Sequence, residues 1–369
     1  MVLNPKRFLI CLLIPISLLI ASSNVLYASG NRTYQCNTSE EVYKALKAVV
    51  PGDTIMLQGG KVYEIDKSFE LFANGSENSR IRFTSQDGTG QGRFAVISTV
   101  GRKKEENLVA FRLHGSFWNI SKLEITGTNV PLDGGYWDTN GFRIGLYLSG
   151  FEAHDNLIED IHIHHTHNTA VAIRDQSHHN TFRRMKIHHI GEWLAEDYNA
   201  HEGEGFYIGS SKGFDQQGNK AIVHDILIED SVIGPGLLGQ YIDLKYASSN
   251  VTVRNNTLYC GAKSYNEEVI KLAGYANTIT ANRFVGSADN LTRYIHVFNK
   301  RTGVPVRVNY LGQEDIVAPT GRDNSIVDNV FYTSDPEMVS IQNDLFEADR
   351  ATLVVTNNET RPLDDYKEF

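Results

Sequence analysis

The 369-residue sequence is poor in cysteine, proline and positive charge. It contains 3 cysteines and 9 prolines, which excludes a disulfide framework and a collagen-like chain. A hydrophobic share of 41% against 21% charged residues excludes a disordered chain and predicts a sizeable core. Acidic residues outnumber basic ones by 44 to 35, a net charge of −9, so no basic face for nucleic acid is expected. A small cationic site remains compatible with this charge.

The N-terminus has the pattern of a secretory signal. Lys6 and Arg7 precede the apolar run Phe8–Ala21, and small residues follow around Ala28. Since the run is short for a membrane span of about 20 residues, we expect cleavage of residues 1–28, no stable membrane association, and a secreted or periplasmic protein. An uncleaved anchor is the alternative. Cleavage would leave 33 basic and 44 acidic residues, a net charge of −11.

Two cysteines, Cys36 and Cys260, remain outside this segment. They are compatible with one disulfide or with two thiols, because the sequence does not give their separation.

The clearest helix is predicted over Ser39–Val50. Val42 and Leu46 recur at helical spacing behind a Ser39 cap, and Pro-Gly-Asp at 51–53 ends the helix. Beyond this turn, short runs rich in Val, Ile, Phe and Tyr alternate with Gly and Asn. This pattern predicts an all-β chain with one N-terminal capping helix.

An internal repeat defines the organisation of the chain. Apolar residues five apart recur as Ile120 and Ile125, Ile158 and Ile163, Phe182 and Ile187, Ile228 and Ile233, Val253 and Leu258, Ile279 and Phe284, and Ile326 and Phe331. The first members are 38, 24, 46, 25, 26 and 47 residues apart. A step of about 25 residues, lengthened by loops or doubled, is typical of a coil in a parallel β-helix. The sequence therefore predicts a right-handed parallel β-helix as a single domain over 29–369.

Corner residues support this interpretation. A Gly or Asn can take the left-handed conformation that a tight corner needs, and asparagine often precedes the first apolar residue by two, as at Asn156, Asn180, Asn277 and Asn324. Residues 300–323 interrupt the repeat, either as a long loop over the groove or as a lost coil.

Three cations fall at one position of the repeat. Arg174, Lys245 and Lys271 each lie eight residues before the first member of an apolar pair. Stacked coils would place them in a column on one face, about 4.8 Å apart. Asp243 shares the face of Lys245 by strand alternation and would partly neutralise the column. An ion-paired surface ladder and chance alignment are the alternatives to a binding site.

Three stretches resemble a known family. They are EEVYKALKAVVPGDTIMLQGGKVYEI, YIDLKYASSNVTVRNNTLY and EEVIKLAGYANTITANRF. They resemble the opening helix and turn, the lysine-bearing coil and the following coil of the secreted β-helical polysaccharide lyases of family six, which include chondroitinase B and alginate lyases. The resemblance implies an enzyme that cleaves an anionic, uronic-acid-containing polysaccharide such as alginate by β-elimination.

The resemblance also implies roles for individual residues. Lys245 falls where the family has its catalytic base, and Lys271 falls where the family has an arginine. The family binds calcium through acidic residues just before the lysine, where this sequence has Leu238 and Gln240. Calcium is therefore a possible cofactor whose family ligands are not matched.

The chemistry of elimination fits these residues. Removal of the C5 proton builds negative charge on the neighbouring carboxylate, which a cation such as Lys271 or Arg174 would neutralise. A lysine base must be neutral to accept the proton, and nearby positive charge with partial desolvation would lower its pKa. The sequence therefore predicts a lowered pKa for Lys245.

A second cluster is the stretch AHEGEGFYIGSS over 200–211. Its His201, Glu202, Glu204 and Tyr207 supply acid, base and metal-ligand groups, and its glycines allow close approach of a sugar chain. Glu202 and Glu204 are the candidate metal ligands, and Tyr207, aligned with Asp243, is the candidate proton donor to the leaving oxygen. A solvated loop is the alternative.

Groups that would bind substrate complete the predicted groove; they are Arg174, Asp243, His201, Glu204 and Trp193. The segment Trp193–His201 is predicted to form one groove wall, since aromatic rings stack on sugars.

Histidines are concentrated in two consecutive coils; they are His162, His164, His165, His167, His188 and His189. Alignment of the coils stacks His164 on His188 and His165 on His189, and strand alternation sends His164 and His165 to opposite faces. Such histidines bind a transition metal, form a hydrogen-bonded ladder or line a sugar groove.

Two other function classes stay open. A glycoside hydrolase on this fold would use paired carboxylates, for which Glu202, Glu204, Asp243 and Asp215 are available. A non-catalytic glycan-binding or adhesive protein would keep the groove and need no reactive lysine.

Overall fold

The structure is a computed structural model. It describes residues 30–87, 93–99, 108–127, 141–191, 202–210, 222–261, 267–287, 290–298, 307–308, 316–317, 321–345 and 347–368. The signal segment, Trp193 and His201 lie outside the described residues.

The described chain is dominated by short strands. In chain order they are Thr33–Cys36 (β1), Thr54–Leu57 (β2), Val62–Glu64 (β3), Phe69–Leu71 (β4), Ile81–Ser85 (β5), Ala95–Ser98 (β6), Val109–Leu113 (β7), Trp118–Thr126 (β8), Ile144–Ser149 (β9), Leu157–His164 (β10), Thr169–Arg174 (β11), Thr181–Arg183 (β12), Lys186–His188 (β13), Glu204–Ile208 (β14), Val223–His224 (β15), Leu227–Glu229 (β16), Val232–Ile233 (β17), Ile242–Leu244 (β18), Ser248–Ser249 (β19), Thr252–Arg254 (β20), Thr257–Tyr259 (β21), Glu268–Leu272 (β22), Thr278–Thr280 (β23), Arg283–Val285 (β24), Arg293–Phe298 (β25), Arg307–Val308 (β26), Ile316–Val317 (β27), Ser325–Val327 (β28), Val330–Thr333 (β29), Val339–Asp344 (β30), Val354–Thr356 (β31) and Glu359–Pro362 (β32).

These strands form a right-handed parallel β-helix, as the repeat predicts. One sheet stacks β4, β7, β9, β11, β14, β18, β22, β25 and β30, and we call it the groove sheet. A larger sheet, which we call the wrapped sheet, covers the other faces, and most of its coils contribute two short strands. The interior between the sheets is filled by the apolar side chains that point inward from every coil.

The predicted apolar residues pair with one another between the coils of the wrapped sheet. Ile120, Ile158, Phe182, Ile228, Val253, Ile279 and Ile326 pair in succession. The second members pair in the same order, from Ile125 to Phe331. Each first member is fully buried, so the repeat marks the side chains that coils stack on one another.

The long steps in the repeat are insertions within single coils. Ile279 pairs directly with Ile326, so no coil is lost across residues 300–323. Part of that segment is the antiparallel pair β26–β27.

Asparagine ladders fix the corners. The backbone N–H of Asn277 donates to Oδ1 of Asn324 at 2.8 Å, and Asn156 donates likewise to Asn180 at 3.0 Å. The left-handed residue is usually the one before the asparagine, such as Asp155 with φ 52°. The ladder holds the corner backbone in place, so the prediction of Gly or Asn at the left-handed position is wrong for this corner in most coils.

The N-terminal helix spans Ser39–Leu46 and is shorter than predicted. Its cap is Thr38 rather than Ser39, because Thr38 accepts a hydrogen bond from the backbone of Glu41 in a capping box. Cys36 and Cys260 are separate buried thiols. Within the described residues no helix is long and apolar enough to cross a membrane.

Candidate active site

A cavity of about 480 Å³ opens on the groove sheet. It is lined by Val109, Arg112, Arg143, Ile144, Tyr147, Asn168, Thr169, Ala172, Arg174, Glu202, Glu204, Tyr207 and Lys245. Strand pairing explains the convergence, because Glu204 lies opposite Thr169 and Tyr207 opposite Ala172 on adjacent coils. The predicted site residues Arg174, Glu202, Glu204, Tyr207 and Lys245 are thus brought to one cavity.

Lys245, which lines this cavity, forms an ion pair with Asp243. The Asp243 side chain is fully buried, and that of Lys245 is 17% exposed. Burial is the largest single effect and lowers the pKa of Lys245, but Asp243, with smaller contributions from Tyr207 and Glu204, outweighs burial and the pKa is raised. The predicted lowering of this pKa is therefore wrong, because the alignment emphasised neighbouring cations over the acid two residues away.

Burial acts on the pKa of Asp243 in the opposite direction. Burial raises its pKa, while Lys245 and Lys271 partly offset the shift. Tyr207 lies opposite Asp243 on the preceding coil, as predicted, and Lys271 lies opposite Asp243 on the following coil.

The predicted cation column is correct for two residues and wrong for the third. Arg174 and Lys245 each directly follow the residue paired with Ile208, so they lie at one level on either side of that coil. Lys271 is level with Asp243 instead. Its ammonium lies 5.4 Å from the ring centroid of Phe298, and it is not among the described residues that line the cavity.

Unequal corner length causes this error. From Leu244 to Val253 the chain needs nine residues, whereas from Leu272 to Ile279 it needs seven. Counting backward from the apolar anchors therefore shifts Lys271 by two residues.

Tyr207 is contacted by Arg174 and Lys245, the two cations that lie at one level. The Arg174 guanidinium carbon lies 4.4 Å from the Tyr207 ring centroid, and Lys245 Nζ lies 4.6 Å from it. A cation on the face of an aromatic ring is held by the ring quadrupole. The three side chains therefore form one unit facing the cavity.

Glu204 is the buried acid of the cavity. It is 2% exposed, and its Oε2 lies 3.0 Å from the hydroxyl of Thr169. Burial, then the charge of Asp243, raises its pKa to about 7. The partly exposed Glu202 lies 3.9 Å from Arg143 instead, so the two predicted metal ligands have different partners.

The residues at the family's calcium positions do not fit calcium. Leu238 is a buried apolar side chain. The amide of Gln240 donates to Glu268 Oε1 at 2.9 Å, so it serves as a partner within the protein. Glu202 and Glu204 are not part of any metal-ligand group found among the described residues. Calcium takes about six to eight oxygen ligands, and these two positions offer only the amide oxygen of Gln240.

Sequence reasoning missed Arg112 and Arg143. Arg112 pairs with Tyr147, which pairs with Ala172, which pairs with Tyr207. Extending the register of Tyr207 back by three coils would have identified Arg112. No signal in the sequence places Arg143, which precedes β9.

The histidines lie on the wrapped sheet, outside the cavity lining. His164 stacks on His188 with centroids 5.1 Å apart, and His165 stacks on His189 at 5.3 Å, as predicted. The prediction of opposite faces is wrong, because His165 has a φ of 53° and its Nδ1 lies 2.6 Å from Nδ1 of His164. A left-handed residue interrupts strand alternation.

Burial and neighbouring histidines lower the pKa of two rings in the first of these coils. The pKa of His162 is lowered to about 4 and that of His165 to about 3, with burial as the largest cause. His162 and His165 are therefore uncharged near neutral pH.

Comparisons with known proteins agree with this fold. An alginate lyase from Paenibacillus sp. str. FPU-7 is similar with a TM-score of 0.65 and 22% identity, covering 90% of this chain and 99% of that one. A mannuronic acid specific polysaccharide family 6 lyase from human gut microbiota has a TM-score of 0.50 and 15% identity, covering 91% and 88%. A GH136 lacto-N-biosidase from Eubacterium ramulus has a TM-score of 0.47 and 14% identity, covering 90% and 68%.

For the two lyases, at these identities, the likeness is one of fold. The search of curated proteins finds no match. The family model described as "Pel9A-like, right handed beta helix region" matches residues 26–225, more than half of the chain. The chain therefore belongs to the Pel9A-like right-handed β-helix family.

Proposed function

We propose that this protein is a polysaccharide lyase that cleaves a uronic-acid polymer, such as alginate, by β-elimination in the cavity of the groove sheet. The observation that carries the proposal is the convergence of Arg112, Arg143, Arg174 and Lys245 on one cavity beside the Tyr207 phenol. Against the two carboxylates of the lining, Glu202 and Glu204, four cations leave the cavity with more positive than negative groups in a chain of net charge −9, which favours an anionic ligand.

The arginines are suited to substrate carboxylates. Guanidinium groups bind carboxylates through paired hydrogen bonds and remain charged at all physiological pH values. Arg174 lies beside the proton-transfer groups and is assigned to the carboxylate of the sugar that loses its C5 proton. Arg112 and Arg143 are assigned to neighbouring sugars.

Tyr207 and Lys245 are assigned to proton transfer, with the roles given by the sequence reversed. Lys245 is paired with Asp243 and rests as an ammonium, so it is suited to give a proton to the leaving oxygen. The Tyr207 oxygen is assigned as the acceptor of the C5 proton, once its own phenolic proton has passed to solvent. The C4=C5 double bond forms as the C4–O bond breaks, and proton exchange with solvent restores both groups.

Preorganised positive charge supports this assignment. Arg174 and Lys245 lie within 4.6 Å of the Tyr207 ring centroid. They stabilise negative charge as it develops on the substrate carboxylate, which is the costly feature of the transition state.

The test is chemical. The purified protein is incubated with alginate, polygalacturonate, glucuronan and chondroitin-type chains, and both ultraviolet absorbance and reducing ends are measured. Elimination predicts that both rise together on at least one polymer. Reducing ends without absorbance would instead support a hydrolase, and binding without either signal would support a glycan-binding protein.

Calcium is not required in this proposal. We expect that calcium added to the metal-stripped protein leaves the elimination rate unchanged, because Leu238 and Gln240 replace the acidic ligands of the resembling lyases. A calcium-dependent recovery of activity, measured by absorbance against a magnesium control, would contradict this.

We also propose that the protein is exported, because residues 1–28 have the pattern of a secretory signal. Expression with and without this segment, followed by fractionation, tests it. Retention of the full-length protein in the cytoplasm would contradict the proposal.

A further inference from the structure

A second group of reactive side chains lies on the wrapped sheet, away from the cavity of the groove sheet. Glu124 is on β8, and His162 and His164 are on β10. Each offers one ligand atom, and the three atoms lie within 4.8 Å of one another. We propose that Glu124, His162 and His164 bind a divalent transition metal of the zinc type.

The arrangement follows from strand geometry. His162 and His164 are two residues apart on one strand, so their side chains share a face. Glu124 is directly opposite His162 in the register of the adjacent coil. Two histidines and one carboxylate are therefore held by backbone pairing rather than by loops.

The distances are close to those of a metal complex. Glu124 Oε1 lies 3.1 Å from His164 Nε2. Ligand atoms around tetrahedral zinc, at bonds of about 2.0 to 2.2 Å, are roughly 3.4 Å apart. Small side-chain rotations therefore suffice to bring all three atoms to one ion.

Further contacts orient the ligands. His164 Nδ1 lies 2.6 Å from His165 Nδ1, which fixes the ring that presents Nε2 to Glu124. Metal-binding histidines are commonly held in this way through their second nitrogen. His188 Nε2 lies 2.7 Å from His162 Nε2 and is available as a fourth ligand.

The ligand types select the metal class. Imidazole nitrogens favour zinc, copper and nickel over calcium and magnesium. A cavity of about 620 Å³ touches Glu124 and His162, so a fourth position can remain open to water or to a small anion. Lys186 lies opposite His162 on the next coil, but its side chain is exposed, and solvent screens its charge.

A second histidine–carboxylate group fits less well. His179, His224 and Asp225 also lie within 4.8 Å of one another. However, the His179 side chain is 51% exposed, against 13% for His164. This second group provides a matched control with the same ligand types.

The test uses the full-length protein without an affinity tag. After chelator treatment and dialysis, zinc binding is measured by calorimetry, and Co²⁺ is added as a visible-absorbance probe of tetrahedral coordination. We expect one tight equivalent of zinc, a Co²⁺ band of tetrahedral intensity and a rise in melting temperature with zinc.

Variants locate the site. Glu124→Gln and His164→Gln should each weaken zinc binding about 100-fold or more and abolish the Co²⁺ band. The matched variant Asp225→Asn should leave both unchanged. Circular dichroism shows whether each variant is folded, and Glu124→Gln is the mildest change.

Three results would overturn the proposal. They are absence of stoichiometric zinc binding by the wild type, undiminished binding in Glu124→Gln, and loss of binding in Asp225→Asn alone. Because zinc binding is measured directly, the test does not depend on lyase activity.

Discussion

At the scale of single residues, the chemistry of the cavity depends on a pair two positions apart on one strand. Asp243 is fully buried and its only ion-pair partner among the described residues is Lys245. Burial disfavours both charges, and the pair persists because each neutralises the other. The acid therefore sets the protonation state of the lysine.

Asp243→Asn tests this dependence. Without the carboxylate, burial is opposed only by the weaker effects of Tyr207 and Glu204, and the pKa of Lys245 falls. A proton donor must hold its proton, so activity is present below its pKa and is lost as pH rises through it. The alkaline limb of the pH–rate profile should therefore move to lower pH in the variant. An unmoved limb, or one moved upward, would contradict the assignment.

Glu204 supplies a second pH-dependent prediction, this one for stability. Its pKa is about 7 in the folded protein against 4.5 normally, so the folded state binds the proton more tightly than the unfolded chain. Stability contributed by this proton is complete below pH 4.5 and is lost as pH rises through 7, by up to about 3 kcal/mol.

Glu204→Gln should remove that loss. Measured by urea unfolding, the variant should be more stable than the wild type at pH 8 and similar to it at pH 4.5. Equal pH dependence in the two proteins would show that Glu204 does not hold a proton near neutrality.

At the scale of elements, the asparagine ladders hold the coils in register. Oδ1 of Asn282 accepts from the backbone N–H and the amide of Asn256, both at 3.0 Å. Its own amide donates to the carbonyl of Val253 at 2.9 Å and to Asn329 at 3.0 Å. One buried side chain thus satisfies groups of three coils.

Asn282→Ala should destabilise the protein by about 3 kcal/mol, because buried polar groups on both neighbouring coils lose their partners. The part-buried Asn358, at the end of this ladder, is the matched control, and Asn358→Ala should cost about 1 kcal/mol. Urea unfolding measures both. Equal costs at the two positions would contradict a stabilising role that depends on burial.

The geometry of coils and corners also explains which features the sequence could predict. The coil register was predictable because inward residues such as Ile158 and Ile163 must be apolar in every coil. The position of Lys271 relative to Lys245 was not predictable, because the length of the corner varies between coils while the apolar anchors stay the same. The face on which the His165 side chain lies was not predictable either, since a positive φ at a non-glycine residue has no clear sequence signal.

Several residues that line the cavity were predictable from the sequence, and their electrostatics were less so. Arg174 and Lys245 were identified by their position in the repeat, and Tyr207 by its place in the 200–211 cluster and its alignment with Asp243. The direction of the Lys245 pKa shift depends on the depth of Asp243, which only three-dimensional packing determines.

At the scale of the whole molecule, the balance of charge in one cavity differs from that of the chain. The chain carries a net charge of −9, yet Arg112, Arg143, Arg174 and Lys245 converge on one cavity. Net charge therefore argues against bulk nucleic-acid binding and is compatible with a polyuronate held locally. Repulsion from the acidic body would also favour release of cleaved anionic products.

The most direct test of the central claim is mass spectrometry of the products from the uronic-acid polymers, using the wild type, Lys245→Ala and the control Lys186→Ala, an exposed lysine on the wrapped sheet. The account predicts oligomers one water lighter than hydrolysis products from the wild type and from Lys186→Ala. It predicts a loss of at least about 100-fold in their rate of formation for a folded Lys245→Ala. Products of full hydrolytic mass, or unchanged activity in Lys245→Ala, would contradict it.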